Sequence, residues 1–345
     1  VIASWAYSEL EELSSKLRQV ENLEIENPFF PTYKFFKRKL SSVNSVHKLK
    51  NKLDSWAILL DAHSISIRNA SVLAVGCGCG LECVYLRFLG AREVVGLDAD
   101  PMFTTGMDRL FESLQVKNEV RPLLQDIHRY EDLDRYDVII TVDAVSHMYD
   151  YQLYLRQCYR LLKKSGRLLI VDDNNKLNFF RHREVVQIWE NWEKKGATYE
   201  DQAGAIRHIN SYEEDRFEFI RDENPELSVD VCRVLAQHTS GLRRAEIRNA
   251  VGEYKRSRQL PRCKYVRGTM AYDSRLDMPK EIQFNPYTFA RVMSRLRFRN
   301  AVHMPGLIRP SSVSRRMLLR MMVFFKFIAY ITYSKGFSIS GSKEG

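Results

Sequence analysis

The chain has 345 residues, 45% of them hydrophobic, and a formal net charge of +10. That is long enough for more than one structural unit and apolar enough to bury a core, while no apolar run reaches the roughly 18 to 20 residues a membrane helix needs. Residues 241–345 hold 22 Lys and Arg against 6 Asp and Glu, so this basic third suits nucleic acid, an acidic lipid surface or an acidic substrate, or else is a solvated face.

Residues 1–66 read as largely helical, from Tyr7 to Val20 and from Ser45 to Leu60. The aromatic interruption Asn27-Pro-Phe-Phe-Pro-Thr-Tyr-Lys-Phe-Phe36 either packs on the core or closes over a ligand. The first residues show no secretory pattern, and a cytoplasmic location is expected. Next, Val72-Leu-Ala-Val-Gly-Cys-Gly-Cys-Gly80 is a strand that runs into three glycines spaced GxGxG and then into a helix, Leu81 to Leu89, stopped at Gly90. Glycine tolerates φ > 0 and lets backbone approach a ligand, and the helix start presents free N–H groups. A dinucleotide fingerprint would place Gly or Ala at 81 or 83, where the chain has Leu81 and Cys83. The six cysteines, three of them (Cys77, Cys79, Cys83) crowding this turn, form no CxxC framework and read as small apolar fillers, with no metal site expected.

A strand from Glu93 to Leu97 ends in Asp98, a carboxylate placed for ribose hydroxyls. A helix (Pro101 to Leu114) and a strand (Glu119 to Leu124) lead to Asp126 and Ile127; the buried-type strand Asp137 to Val142 ends in Asp143; a helix (Tyr151 to Leu162) and Ser165-Gly166 lead to a fifth strand, Arg167 to Val171. Five strands alternating with helices make a doubly wound parallel sheet. Residues 175–280 read as mostly helical, with Ser228 capping Val229 to Gln237 and a further helix from Arg244 to Tyr254. Asn285 and Pro286 start a helix to Leu296, and strands are expected at Phe298 to Met304 and Gly336 to Lys343. Between them, Arg315 to Tyr333 is apolar but studded with Arg and Lys, which suits a core helix or one lying on an anionic membrane.

Residues 71–175 resemble the core of the class I S-adenosylmethionine-dependent methyltransferases, carried by the GxGxG turn, the acids after strands two and three, the Val142-Asp-Ala-Val-Ser-His-Met148 segment and Leu161-Leu-Lys-Lys-Ser-Gly-Arg-Leu-Leu-Ile170. The resemblance implies a Rossmann-like α/β sheet of about seven strands, with the last two as an antiparallel pair, N-terminal helices, and a helical lid inserted after strand five. The units would be 1–66, 67–175 for the cofactor, 176–280 as lid, and 281–345 returning to the sheet. It further implies S-adenosylmethionine as cofactor and S-adenosylhomocysteine as product, with Val75, Gly76, Cys77, Gly78 and Gly80 at the methionine end, Asp98 and Ala99 at the ribose, Asp126 and Ile127 at the adenine, and Asp143 and Ala144 between cofactor and substrate. One position departs from the pattern: the family has an acid two residues before the first glycine, and this chain has Ala74.

His147, just past strand four, is the candidate general base, because a neutral imidazole accepts a hydroxyl proton near pH 7. A rival set is Asp143 with Asp172, Asp173 and Asn174, which resembles the oxygen-ligand Mg²⁺ site of catechol-type O-methyltransferases. The reading that follows is O-methylation of a small molecule or a glycan- or lipid-linked intermediate, suited to an enclosed pocket, with an anionic membrane surface as partner through residues 315–333 and nucleic acid less favoured. The alternative is a non-catalytic S-adenosylmethionine-binding protein acting on nucleic acid or an anionic membrane.

Overall fold

The computed structural model describes residues 7–26, 34–200, 206–262, 270–273, 278–306 and 325–345. Its centre is a seven-stranded sheet. β1 (Ser71–Val75) is buried at every position, and β2 (Glu93–Asp98), β3 (Val120–Leu124), β4 (Tyr136–Val142) and β5 (Leu162–Asp172) run parallel to it. β10 (Arg299–Pro305) and β11 (Phe337–Ser342) close one edge, and β11 is antiparallel to both β5 and β10. The order β10-β11-β5-β4-β1-β2-β3 reverses between β1 and β4, so a crevice opens at the carboxyl ends of those two strands.

The crossovers carry α4 (Leu81–Phe88), α5 (Pro101–Ser113) and α6 (Tyr151–Leu161). Asp100 and Asp150 cap α5 and α6 by accepting Met102 and Leu153 N–H, and Pro101 needs no donor at its place in the first turn. β5 begins five residues earlier than its apolar run suggests, because Leu162 pairs with Tyr136 as soon as α6 ends. Among the N-terminal helices, α1 (Tyr7–Glu26) and α3 (Val46–Ala62) match the sequence pattern, while α2 (Lys34–Ser41) arises where an irregular stretch was expected. Phe36 and Leu40 of α2 are fully buried, and that burial holds so short a helix. Residues 27–33 of the aromatic stretch lie outside the described residues.

α3 is bolted to the far sheet edge. His63, at its C-terminus, places Nε2 2.8 Å from Ser338 Oγ and Nδ1 2.8 Å from Ser340 Oγ on β11. Burial, with Lys326 nearby, lowers its pKa to about 4, so the ring bridges the two serines in its neutral form.

The region after β5 contains α7 (Phe179–Lys194), α8 (Tyr212–Glu223), α9 (Val229–His238) and α10 (Arg244–Ser257). It also holds two small antiparallel pairs that helical periodicity did not announce, β6 (Ala197–Glu200) with β7 (Ile206–Ile209) and β8 (Met270–Asp273) with β9 (Met278–Ile282). A buried ion pair, Arg216 to Glu193, joins α8 to α7, and Ser240 Oγ also donates to Glu193 at 2.7 Å. After α11 (Pro286–Arg295), the basic apolar stretch is described only from residue 325: α12 (Lys326–Thr332) buries Ala329 and Tyr330 and exposes Phe327 and Ile328. Residues 315–324 lie outside the described residues.

Candidate active site

The turn after β1 is built on left-handed glycines, with φ of 61° at Gly76, 52° at Gly78 and 76° at Gly80. It hangs from the end of β2: Gly76 N–H donates to Leu97 O at 2.8 Å, and Gly78 N–H donates to Asp98 Oδ2 at 2.9 Å. The first and second glycines differ in what surrounds them. A Cβ at Gly76 would stand 2.5 Å from Ala144 Cβ, whereas one at Gly78 would meet no atom within 4 Å. Gly78 therefore faces open space, and Gly76 lets the segment after β4 approach the turn. Gly80 points inward, against Met107 and Phe111 of α5, so its part is to shape the turn.

Asp98 spends its other oxygen on Asp100 N–H at 3.0 Å. Burial raises its carboxyl above the usual range, opposed by the N–H groups of Asp100 and Gly78. Ala99 beside it is exposed. Past β3, Asp126 caps the short 3₁₀ turn Ile127–Arg129, accepting His128 N–H at 2.9 Å, with His128 Nδ1 2.7 Å away. Burial works against that charge, but His128 and then Arg129 outweigh it and hold the carboxyl below its usual range. His128 in turn stacks on Tyr149, ring centroids 4.1 Å apart, and Arg243, just before α10, lies 5.0 Å from the centre of Tyr149. Tyr149 and Arg243 were not singled out by the sequence, because nothing in their local spacing marks the long-range stack.

Asp143 closes the site from β4. Its φ is 50°, and its N–H is tied to Val171 O at 2.8 Å. Part of its side chain meets solvent, yet surrounding protein and then the charge of Asp173 raise its carboxyl to about 6. The neighbouring Asp172 is fully buried; burial first, then Asp143, raises it to about 7. Its two oxygens accept Ser146 N–H at 3.1 Å and Asn174 N–H at 2.9 Å. Both oxygens of Asp172 thus serve backbone donors, and among the described residues no three His, Cys, Asp or Glu side chains gather as metal ligands. His147 ends the 3₁₀ turn Val145–His147, against which β9 packs, and its N–H donates to Ala144 O at 3.0 Å.

Two cavities meet at this end of the sheet. The smaller, about 240 Å³, is bounded by Ala74, Gly76, Gly78, Glu82 and Asp143, with Arg38 and Lys39 of α2 across it; Val75 and Cys77 also line it. The larger, about 590 Å³, lies between α3 and β11, with Trp56, Leu59, Val171, Tyr333 and Phe337 on its walls. Val142 of β4 lines both. Sequence reading missed Glu82, Arg38 and Lys39; the available signal was an acid two residues past the last glycine in a chain that lacks the usual one before the first.

Residues 67–233 match the family model described as a methyltransferase domain. This segment is a methyltransferase domain, in keeping with its resemblance to the class I S-adenosylmethionine-dependent methyltransferases. Among curated relatives, the ubiquinone biosynthesis O-methyltransferase of Bradyrhizobium diazoefficiens is 28% identical over 99 residues, 29% of this chain and 38% of that protein. The tRNA U34 carboxymethyltransferase of Shewanella baltica is 27% identical over 108 residues, 31% of this chain and 33% of that protein. The chain thus spans less than half the length of these relatives. A crystal structure of an S-adenosylmethionine dependent methyltransferase from Mesorhizobium loti is 10% identical, with a TM-score of 0.42 over 83% of this chain and 96% of that one. In this methyltransferase domain the residues fit the cofactor: Gly78 opens onto a cavity, and Asp98 and Asp126 stand at the ends of adjacent parallel strands.

Proposed function

We propose that this protein is an S-adenosylmethionine-dependent methyltransferase that O-methylates a small molecule or a glycan- or lipid-linked acceptor. The observation that carries this reading is the pair of cavities sharing Val142, one walled by the glycine turn and the other by Trp56, Leu59 and Phe337. Gly76, Gly78 and Asp143 would hold the methionine end of the cofactor, Asp98 the ribose, and Asp126 with Ile127 the adenine. The cofactor supplies an activated methyl group, so the protein's part is to align an acceptor oxygen with it, exclude water and remove a proton. Trp56 and Leu59 would orient an apolar acceptor in the larger cavity. His147 would accept the proton, and Asp143, with its carboxyl at about 6, is the second candidate from the same strand end.

A membrane-facing acceptor is favoured by one surface. Phe179 and Phe180 (63% and 73% exposed) on α7, and Phe327, Ile328 and Tyr333 around α12, are exposed apolar side chains, and Tyr333 also lines the larger cavity. The loop that leads into α7 is tied to α12 and the turn after it, as Asn175 Nδ2 donates to Tyr330 O at 2.9 Å and Ser334 O at 2.7 Å. No helix among the described residues is long and apolar enough to cross a membrane, so such binding would be peripheral.

Titration with S-adenosylmethionine and S-adenosylhomocysteine, followed by transfer of labelled methyl to soluble and lipid extracts, tests the reading. Binding with transfer supports it; binding without transfer to any fraction favours a non-catalytic role. In the catalytic test, His147→Ala should lower turnover at nearly unchanged cofactor affinity, and equal losses of both would make His147 structural.

A further inference from the structure

The cavity that would take the methionine end of the cofactor lacks the acid normally supplied from the first strand. Ala74 occupies that position, and its methyl is one of the cavity walls. Past the glycine turn, Glu82 in the first turn of α4 reaches the same cavity. We propose that Glu82 takes the place of the missing strand acid and receives the α-ammonium group of S-adenosylmethionine, while Arg38 and Lys39 face that end's carboxylate. This rests on the cofactor reading above.

Three observations converge on Glu82. Its carboxylate is mostly buried, with 12% of the side chain exposed, and it is held by Lys39, whose Nζ lies 3.5 Å from Oε1. That contact is at the limit of a hydrogen bond, and the other oxygen, Oε2, is buried with no hydrogen-bond partner. A buried carboxylate oxygen without a donor is costly, so a site that keeps one is suited to a ligand that brings the donor. An ammonium group brings three donors and the opposite charge. The third observation is electrostatic: the charges of Glu82 and Lys39 both reach Asp143 across this space, one raising and the other lowering its carboxyl. The cavity thus presents acids and bases to a zwitterion. The acid has moved from the strand to the helix, and the small side chain of Ala74 leaves the room.

The test is isothermal titration of Glu82→Gln with S-adenosylhomocysteine and with 5′-methylthioadenosine, which keeps the adenosine and the sulfur but lacks the amino-acid end. Affinity for S-adenosylhomocysteine should fall about 10- to 100-fold, the range of one charge-assisted hydrogen bond, with 5′-methylthioadenosine unaffected. Adding Ala74→Asp to Glu82→Gln should recover part of the loss. Unchanged affinity overturns the proposal, as does a loss shared equally by both ligands. Melting curves establish that the variants fold; should Glu82→Gln fail to fold, Glu82→Asp is read by the same criteria. If the unaltered protein binds neither nucleoside, the cofactor reading itself falls.

Discussion

Replacing Gly76 by Ala should destabilise the protein far more than replacing Gly78, although both lie in the same turn with similar φ, 61° and 52°. An L side chain in the left-handed region costs about 1–2 kcal/mol at either position. At Gly76 a second cost is added, because the new Cβ would stand 2.5 Å from Ala144 Cβ. Ala144 cannot retreat freely: Asp143 before it is tied to Val171 O, and Val145 after it is fully buried. Overpacking of this kind costs about 1–3 kcal/mol, so Gly76→Ala should lose about 2–5 kcal/mol and Gly78→Ala only about 1–2 kcal/mol. Urea unfolding followed by circular dichroism reads the difference as a shift in midpoint at constant slope. Ala144→Gly in the Gly76→Ala background should return most of the steric share, less about 0.5–1 kcal/mol for the added glycine. For ligand binding the order reverses. The Gly78 methyl would project into the cavity and should weaken S-adenosylhomocysteine more than its small stability loss explains. Equal midpoints for Gly76→Ala and Gly78→Ala, or no recovery with Ala144→Gly, would refute the argument.

Asp98→Ala should weaken S-adenosylhomocysteine by about 1.5–3 kcal/mol for each charge-assisted ribose bond lost, less what water recovers; unchanged affinity in titration would remove Asp98 from the ribose site. Asp172 should make stability depend on pH. Its folded carboxyl, raised to about 7, keeps a proton that the unfolded chain releases near 4, so its contribution is full below about 4 and lost as pH rises through about 7. That contribution is at most about 4 kcal/mol, and Asp172→Asn should flatten the fall in urea midpoint between pH 4 and 7; a parallel fall in both proteins would show that the group titrates normally. The protein should sediment with anionic liposomes and be released by salt, less so for Phe179→Ser/Phe180→Ser, while a protein left in the supernatant with anionic and neutral liposomes alike has no membrane-facing surface.

Much of the central sheet was legible because its signals are local. The run Asp137 to Val142 is apolar on both faces as a central parallel strand must be, and the glycines of 76–80 mark a turn that L side chains strain to make. The caps at Ser228 and Asn285 are likewise read from neighbours in sequence, and each accepts the expected backbone N–H. What was not legible depends on residues distant in the chain. α2 is defined by burial of Phe36 and Leu40, which its composition alone does not announce. The two small strand pairs after β5 are four or five residues per strand, too short for a period to show. At the site, Asp98 and Asp126 were legible as acids at strand ends. The convergence of Arg38, Lys39 and Glu82 was not, because it needs α2 to lie across the glycine turn, and the spending of Asp172 on two backbone donors follows only from the fold of the loop after β5.

The most direct test of the account is a crystal structure of the protein with S-adenosylhomocysteine. The account predicts the adenine beside Asp126 and Ile127, both ribose hydroxyls on Asp98, and the amino-acid end in the cavity between Gly78 and Glu82. A ligand bound elsewhere, or no ligand at saturating concentration, would contradict it.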